Sequence, residues 1–140
     1  MVPDINYLAV IVATLSTIVL GSLWYSPKVF GTLWMRLAKV TPTGSAKTAI
    51  PAMTASLIAA FITAWVLAGA TDISLQFYGG SLLGNALVTG LTLYAGFTAA
   101  RFITHDAFEG RSPVLIVLNL TYELVTIVVM ALIIGLWPPA

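Results

Sequence analysis

Four long apolar stretches, separated by short polar breaks, dominate the pattern along the chain: residues 5–24, 50–70, 77–103 and 114–137. A hydrocarbon core of about 30 Å needs roughly 20 apolar residues as helix, because each backbone N–H and C=O must find its partner inside the segment. Each stretch therefore predicts a transmembrane helix, and the third, longer than the minimum, must tilt or begin in the interface. The first reads as a retained helix rather than a cleaved signal. Its N-terminal flank carries Asp4 and no basic residue, and the Trp24-Tyr25 pair follows it without a small-residue cleavage site.

Between the first two spans the period changes. Val29, Phe30, Leu33, Trp34 and Leu37 recur at helical spacing, while Lys28, Thr32, Arg36 and Lys39 take the other positions. This predicts an amphipathic helix over about 27–39, lying in the interface with Ser26 as cap and Pro27 at its first position. Trp24, Tyr25, Phe30 and Trp34 are its candidate lipid or partner contacts, with Lys28, Arg36 and Lys39 towards headgroups. Residues 41–47 read as a linker.

Composition agrees with the pattern. Only 8% of the 140 residues are charged and 59% are hydrophobic, with mean hydropathy +1.00, too little polarity to cover a soluble globule. The fold class expected is an all-α membrane protein, one domain over 1–140. With no Cys and one His, His105, a disulfide frame, thiol chemistry and zinc site are excluded within one chain. A formal net charge of +1 gives no footprint for nucleic acid.

Charge placement then sets orientation. Lys28, Arg36, Lys39 and Lys47 lie between the first and second spans, and Arg101 and Arg111 bracket the break between the third and fourth. The N-terminus, the expected loop around Asp72 and the C-terminus carry no cation, so both termini are expected outside and the basic loops in the cytoplasm.

The run Gly21-Ser22-Leu23-Trp24-Tyr25-Ser26-Pro27, then Phe30-Gly31 and Trp34, resembles the opening signature of DUF1761, a bacterial membrane family of unknown function. Phe108-Glu109-Gly110-Arg111, Pro113, Asn119, Tyr122 and Gly135-Leu136-Trp137 resemble that family's last third. The resemblance implies a four-helix, multi-pass protein of the bacterial inner membrane, and supplies no activity, cofactor or catalytic residue. It also marks a departure, since glutamine is common in that family where this chain has Glu123.

Inside the spans, Ala52, Ser56, Ala60, Ala64 and Ala68 form one small-residue stripe, and Gly80, Gly84, Val88, Thr92 and Gly96 another. Such stripes let helices approach closely, so a tight contact of helices two and three is expected, within one chain or between two. Asn119, Tyr122, Glu123 and Thr126 make a polar stripe on the last helix, and Asn85 and Thr89 one on the third. Glu123 lies about ten residues, or ~15 Å, past Pro113, near the membrane midplane. Such an acid marks a functional site by default, with two readings open: a neutral hydrogen-bond donor to Thr92, Tyr94 or a carbonyl, or a proton or cation carrier. Arg101 sits too near the surface to pair with it, and either Arg101 or Arg111 suits salt bridges to the acids of the loop 105–113.

No catalytic constellation appears, so no enzyme, cofactor or metal is expected. The expected role is a homo-oligomeric small transporter or channel around the Glu123 stripe. The alternative is an accessory or scaffold protein that binds lipid or a protein partner.

Overall fold

The computed structural model describes residues 2–40 and 46–139, with side chains of the second block from residue 49 onward. Among them the structure is all-helical: α1 (Tyr7–Trp24), α2 (Gly31–Ala38), α3 (Ala46–Tyr78), α4 (Leu82–Leu93), a π-helical turn (Tyr94–Ala99), α5 (Ala100–Phe108) and α6 (Pro113–Leu136). Four helices are long and apolar enough to cross a membrane: α1, α3, the continuous α4–π–α5 rod and α6. Most of the linker expected over 41–47 lies outside the described residues, while Ala46 and Lys47 already belong to α3.

Three boundaries differ from the sequence expectation. α3 runs on to Tyr78 instead of stopping at 70, so Asp72 sits in a helix and not in a loop. Its 33 residues extend about 50 Å by helical rise, well beyond a ~30 Å hydrocarbon core. The true break is Gly79-Gly80, whose φ of 71° and 86° are open to glycine and strained for other side chains. The next helix therefore starts at Leu82 and not at 77, capped by Ser81, whose Oγ accepts from the Gly84 amide at 3.1 Å. At its far end the rod continues through 103 to Phe108.

The chain termini meet at one end of the bundle, called here the terminal end. Asn6 caps α1 by accepting from the Leu8 and Ala9 amides, and its Nδ2 donates to the carbonyls of Trp137 and Pro138 at 3.3 and 3.1 Å. Asp72 accepts from the Asp4 amide at 3.0 Å and from Gln76 Nε2, strapping the N-terminal segment to α3. The core lies in this half: Val10, Ala13, Ala64, Leu67, Ala86, Met130 and Ala131 are all almost fully buried.

Towards the opposite, basic end the packing opens. Along α3, positions 49–59 and 61–63 are exposed, and an apolar groove of about 300 Å³ runs between Ile11, Thr14 and Leu15 of α1 and Leu57, Ile58 and Phe61 of α3. For a chain that sits in lipid, such exposed apolar surface is the normal outer face.

Within the chain the two small-residue stripes are packed differently. Ala64 and Ala68 are buried and Ala60 partly so, whereas Ala52 and Ser56 are exposed beyond the packed half. On the rod the packing face is not Gly80, Gly84, Val88, Thr92 and Gly96, which are all exposed. It is Leu83, Ala86, Leu87 and Gly90, and the most extensive contact is with α6 rather than α3. A Cβ on Gly135 would stand 2.7 Å from Leu83 Cα and 3.1 Å from Ala86 Cβ, so glycine there permits backbone contact. The π turn then carries the rod's inward face on through Tyr94, Thr98, Phe102 and Asp106. Steps of four drift around a 3.6-residue helix, and the wider turn takes up part of that drift.

Candidate functional site

At the basic end the chain leaves α1 through a compact turn. The Phe30 amide donates to Trp24 O at 3.1 Å, and the Val29 and Gly31 amides both donate to Ser26 O at 3.0 and 2.9 Å. Ser26 Oγ donates back to Leu23 O at 2.8 Å. Ser26 is thus a turn residue and not the cap of a helix begun at Pro27. The following helix, α2, runs from Gly31 to Ala38 and not over 27–39, and Lys39 caps it in the left-handed conformation at φ 55°. Within it Arg36 is exposed, as are the flanking Lys28 and Lys39 and also Val29 and Phe30 of the expected apolar face, while Leu33, Trp34 and Leu37 are half-buried.

This turn stacks aromatic rings against α6. Trp24 lies 4.7 Å from Phe30 and 6.0 Å from Tyr122, and Tyr25 lies 5.0 Å from Tyr122 and 5.6 Å from Trp34, centroid to centroid. Gly21 makes room for the contact, since a Cβ there would stand 3.2 Å from the Tyr122 hydroxyl. The indole Nε1 of Trp24 is buried with no hydrogen-bond partner among the described residues, as is Oγ1 of Thr126 one turn deeper.

Glu123 stands beside this cluster on α6, half-buried. At Tyr25, outside the spans, burial first, then Tyr122, then Glu123 push the phenol well above its ordinary value. The expected donors go elsewhere. Tyr94 donates to Leu120 O at 2.8 Å, and Thr92 is exposed and donates to Val88 O at 2.8 Å. Among the described residues Glu123 has neither a hydrogen bond nor an ion pair.

The two polar stripes do not form one path within the chain. Asn119, Tyr122, Glu123 and Thr126 share a stretch of α6. Asn85 is instead consumed at the terminal end: it accepts from Ser74 Oγ at 2.7 Å and donates to Gly79 O and Ser81 O at 2.8 and 2.9 Å, tying the α3–α4 turn. Since Gly135 abuts Leu83 and Ala86, Asn85 lies roughly 18 Å along the bundle from Glu123 by helical rise, and Thr89 only one turn nearer. The residues that do join this stretch of α6 are Trp24 and Tyr25, which pack on Tyr122, and Tyr94, which donates to Leu120 O. The first two read by sequence as interface anchors, and no periodic signal brings a residue after α1 against the middle of α6.

The acids of 105–113 behave as a closed surface cluster. His105 and Asp106 lie in α5 rather than in a loop, and the Arg111 amide donates to Asp106 O at 3.0 Å. Arg111 Nε sits 2.7 Å from Glu109 and 3.5 Å from buried Asp106. The hydrogen bond that Arg111 donates to Glu109 holds the guanidinium pKa above its usual value. Ser112 precedes Pro113 at the start of α6 as expected, but its side chain makes no capping bond.

No curated protein and no solved structure matches this chain. One family model does, over residues 8–135, which takes in all four long helices and every residue of the cluster around Glu123. The chain belongs to the DUF1761 family, described as a protein of unknown function.

Proposed function

We propose that the protein is a small transporter of the bacterial inner membrane, with both termini outside, that works as a homo-oligomer with Glu123 as its ion-binding group. One observation carries this reading: the only acid deep within a span has no hydrogen-bond or ion-pair partner among the described residues, although Tyr94, Thr92 and Asn85 all find theirs. An intramembrane carboxyl is costly to keep, and a purely structural one would be expected to use its hydrogen-bonding capacity. Glu123 lines neither the apolar groove nor the small hollow of about 10 Å³ at the terminal end. A path to it is therefore completed by a second copy.

Reconstitution in proteoliposomes tests this. Protein-dependent proton flux down an imposed pH gradient is expected, and it is abolished by Glu123→Gln, which keeps shape and hydrogen bonding but removes the charge. Equal flux through wild type and variant overturns the reading. The accessory alternative draws on α2 and its flanks, where exposed Lys28, Arg36 and Lys39 suit anionic lipid or an acidic partner. It expects a co-purifying partner that is lost on replacing Phe30 and Trp34 with alanine.

A further inference from the structure

We propose that the hollow at the terminal end is a cation site, which takes one calcium ion between the carboxylates of Asp4 and Asp72. The site stands apart from Glu123 and does not depend on the transport reading.

Size, donor type and charge each narrow the ligand. The hollow measures about 10 Å³ and is lined in part by Asp4, Asn6, Asp72 and Trp137, room for about one water-sized sphere and for no organic molecule. Its side-chain acceptors are all oxygens, with no thiol or imidazole in the lining, the donor type of a hard cation. Asp72 is only 9% exposed. Both of its hydrogen bonds, from the Asp4 amide and from Gln76 Nε2, are received by Oδ2, so Oδ1 of this buried carboxylate has no partner among the described residues. A charge so placed is costly unless it is paired. The chain's own cations stand elsewhere: all six Lys and Arg fall at 28–47 and 101–111, and the one His is His105. The counter-charge therefore comes from solution, and two carboxylates on a single-atom space call for a divalent ion.

The walls choose between divalent ions. One carboxylate comes from the segment before α1 and the other from α3, and the C-terminal tail is held beside them by Asn6 Nδ2, which donates to Trp137 O and Pro138 O at 3.3 and 3.1 Å. No group of three acids, histidines or cysteines stands together among the described residues, so main-chain carbonyls, which keep a second lone pair, and water complete the shell. Irregular backbone of this kind adapts to the variable geometry of calcium better than to the strict octahedron of magnesium. With two charged ligands the site is weak, with a Kd of about 10⁻⁴–10⁻³ M. An ion bound there ties the N-terminal segment, α3 and the C-terminal tail into one clasp.

The test is terbium luminescence on the purified full-length protein in detergent after treatment with chelator. Terbium stands in for calcium, and Trp137, which lines the hollow, sensitises its emission. Saturable emission is expected, displaced by calcium at about 1 mM and by magnesium only at higher concentration. Asp72→Asn keeps an acceptor for the Asp4 amide and removes the charge, so it should weaken binding about tenfold or more, and Asp4→Asn about threefold or more. Glu109→Gln, at the opposite end, leaves the affinity at its wild-type value. Trp137→Phe loses the sensitised emission and keeps the rise in melting temperature that calcium produces. Circular dichroism and elution volume confirm that each variant is folded.

The proposal is overturned if the wild type gives no emission that calcium displaces, if magnesium displaces it at lower concentration than calcium, or if folded Asp72→Asn binds as tightly as wild type. Should Asp72→Asn fail to fold, Asp4→Asn decides in the same way, because the Asp4 side chain is exposed and its amide keeps the bond to Asp72.

Discussion

A Cβ built on Gly31 falls 2.1 Å from the carbonyl oxygen of Tyr25 and 2.8 Å from the backbone of Ser26. The turn from Trp24 to Gly31 is closed so tightly that the chain crosses its own backbone where only glycine fits. Gly31→Ala should therefore reopen it, separating Trp24 and Tyr25 from Tyr122. The clash is with main chain, which cannot swing aside, so a loss of about 3 kcal/mol is expected, at the upper end for overpacking. Unfolding in mixed micelles measures it, and a variant as stable as wild type would contradict the turn.

Asn85 should behave as a structural residue only. Its side chain joins Ser74, Gly79 and Ser81 through three hydrogen bonds, each contributing roughly 0.5–1.5 kcal/mol net. Asn85→Leu is expected to lower stability by about 2 kcal/mol on that scale, and to leave every Glu123-dependent readout at its wild-type value. A changed proton flux in a folded Asn85→Leu protein would mean that the two polar stripes communicate.

These two residues show what was legible in the sequence. Four spans could be read because lipid enforces long apolar helices, and that requirement is written in composition. Glu123 stood out because a charge in hydrocarbon is rare. The α3–α4 boundary was hidden because Asp72 and Gln76 look like loop residues until Asp72 is seen receiving the Asp4 amide. The rod's packing face within the chain had no local signal for a related reason. The glycines of the four-residue stripe suggested contact, but which face turns inward depends on Gly135 of α6 meeting Leu83 and Ala86, a long-range pairing with no local signature. Gly31, although part of the quoted signature, had no visible purpose until the turn placed Tyr25 O against it.

Tyr25 gives a pH prediction. Its phenol titrates above the ordinary value of 10.0 in the folded protein and near that value when unfolded. Its contribution to stability is therefore fully present below about pH 10 and is lost as pH rises beyond, because the unfolded chain releases the proton first. Wild type should lose stability on the alkaline side of pH 10, and Tyr25→Phe should flatten that limb without altering stability at pH 7 by more than the lost hydroxyl. The site is only partly buried, so a modest effect is expected. An unchanged alkaline limb in Tyr25→Phe would assign the loss to other groups.

Gly96 separates packing within a chain from packing between chains. A Cβ there meets nothing within 4 Å, whereas one on Gly135 meets Leu83 and Ala86 closely. Gly135→Ala should therefore destabilise the protomer itself, by about 1–3 kcal/mol for overpacking. Gly96→Leu should leave the protomer's unfolding unchanged, because helix propensity favours leucine by a fraction of a kcal/mol and nothing opposes it. The exposed stripe of Gly84, Val88, Thr92 and Gly96 is still suited to close helix approach. If a second copy docks there, Gly96→Leu shifts the mass measured by light scattering in detergent towards the protomer while its helicity is kept. That shift is the outcome expected of the homo-oligomeric reading. An unaltered oligomer would place the interface on another face, with the outer surface of α3 the next to be substituted.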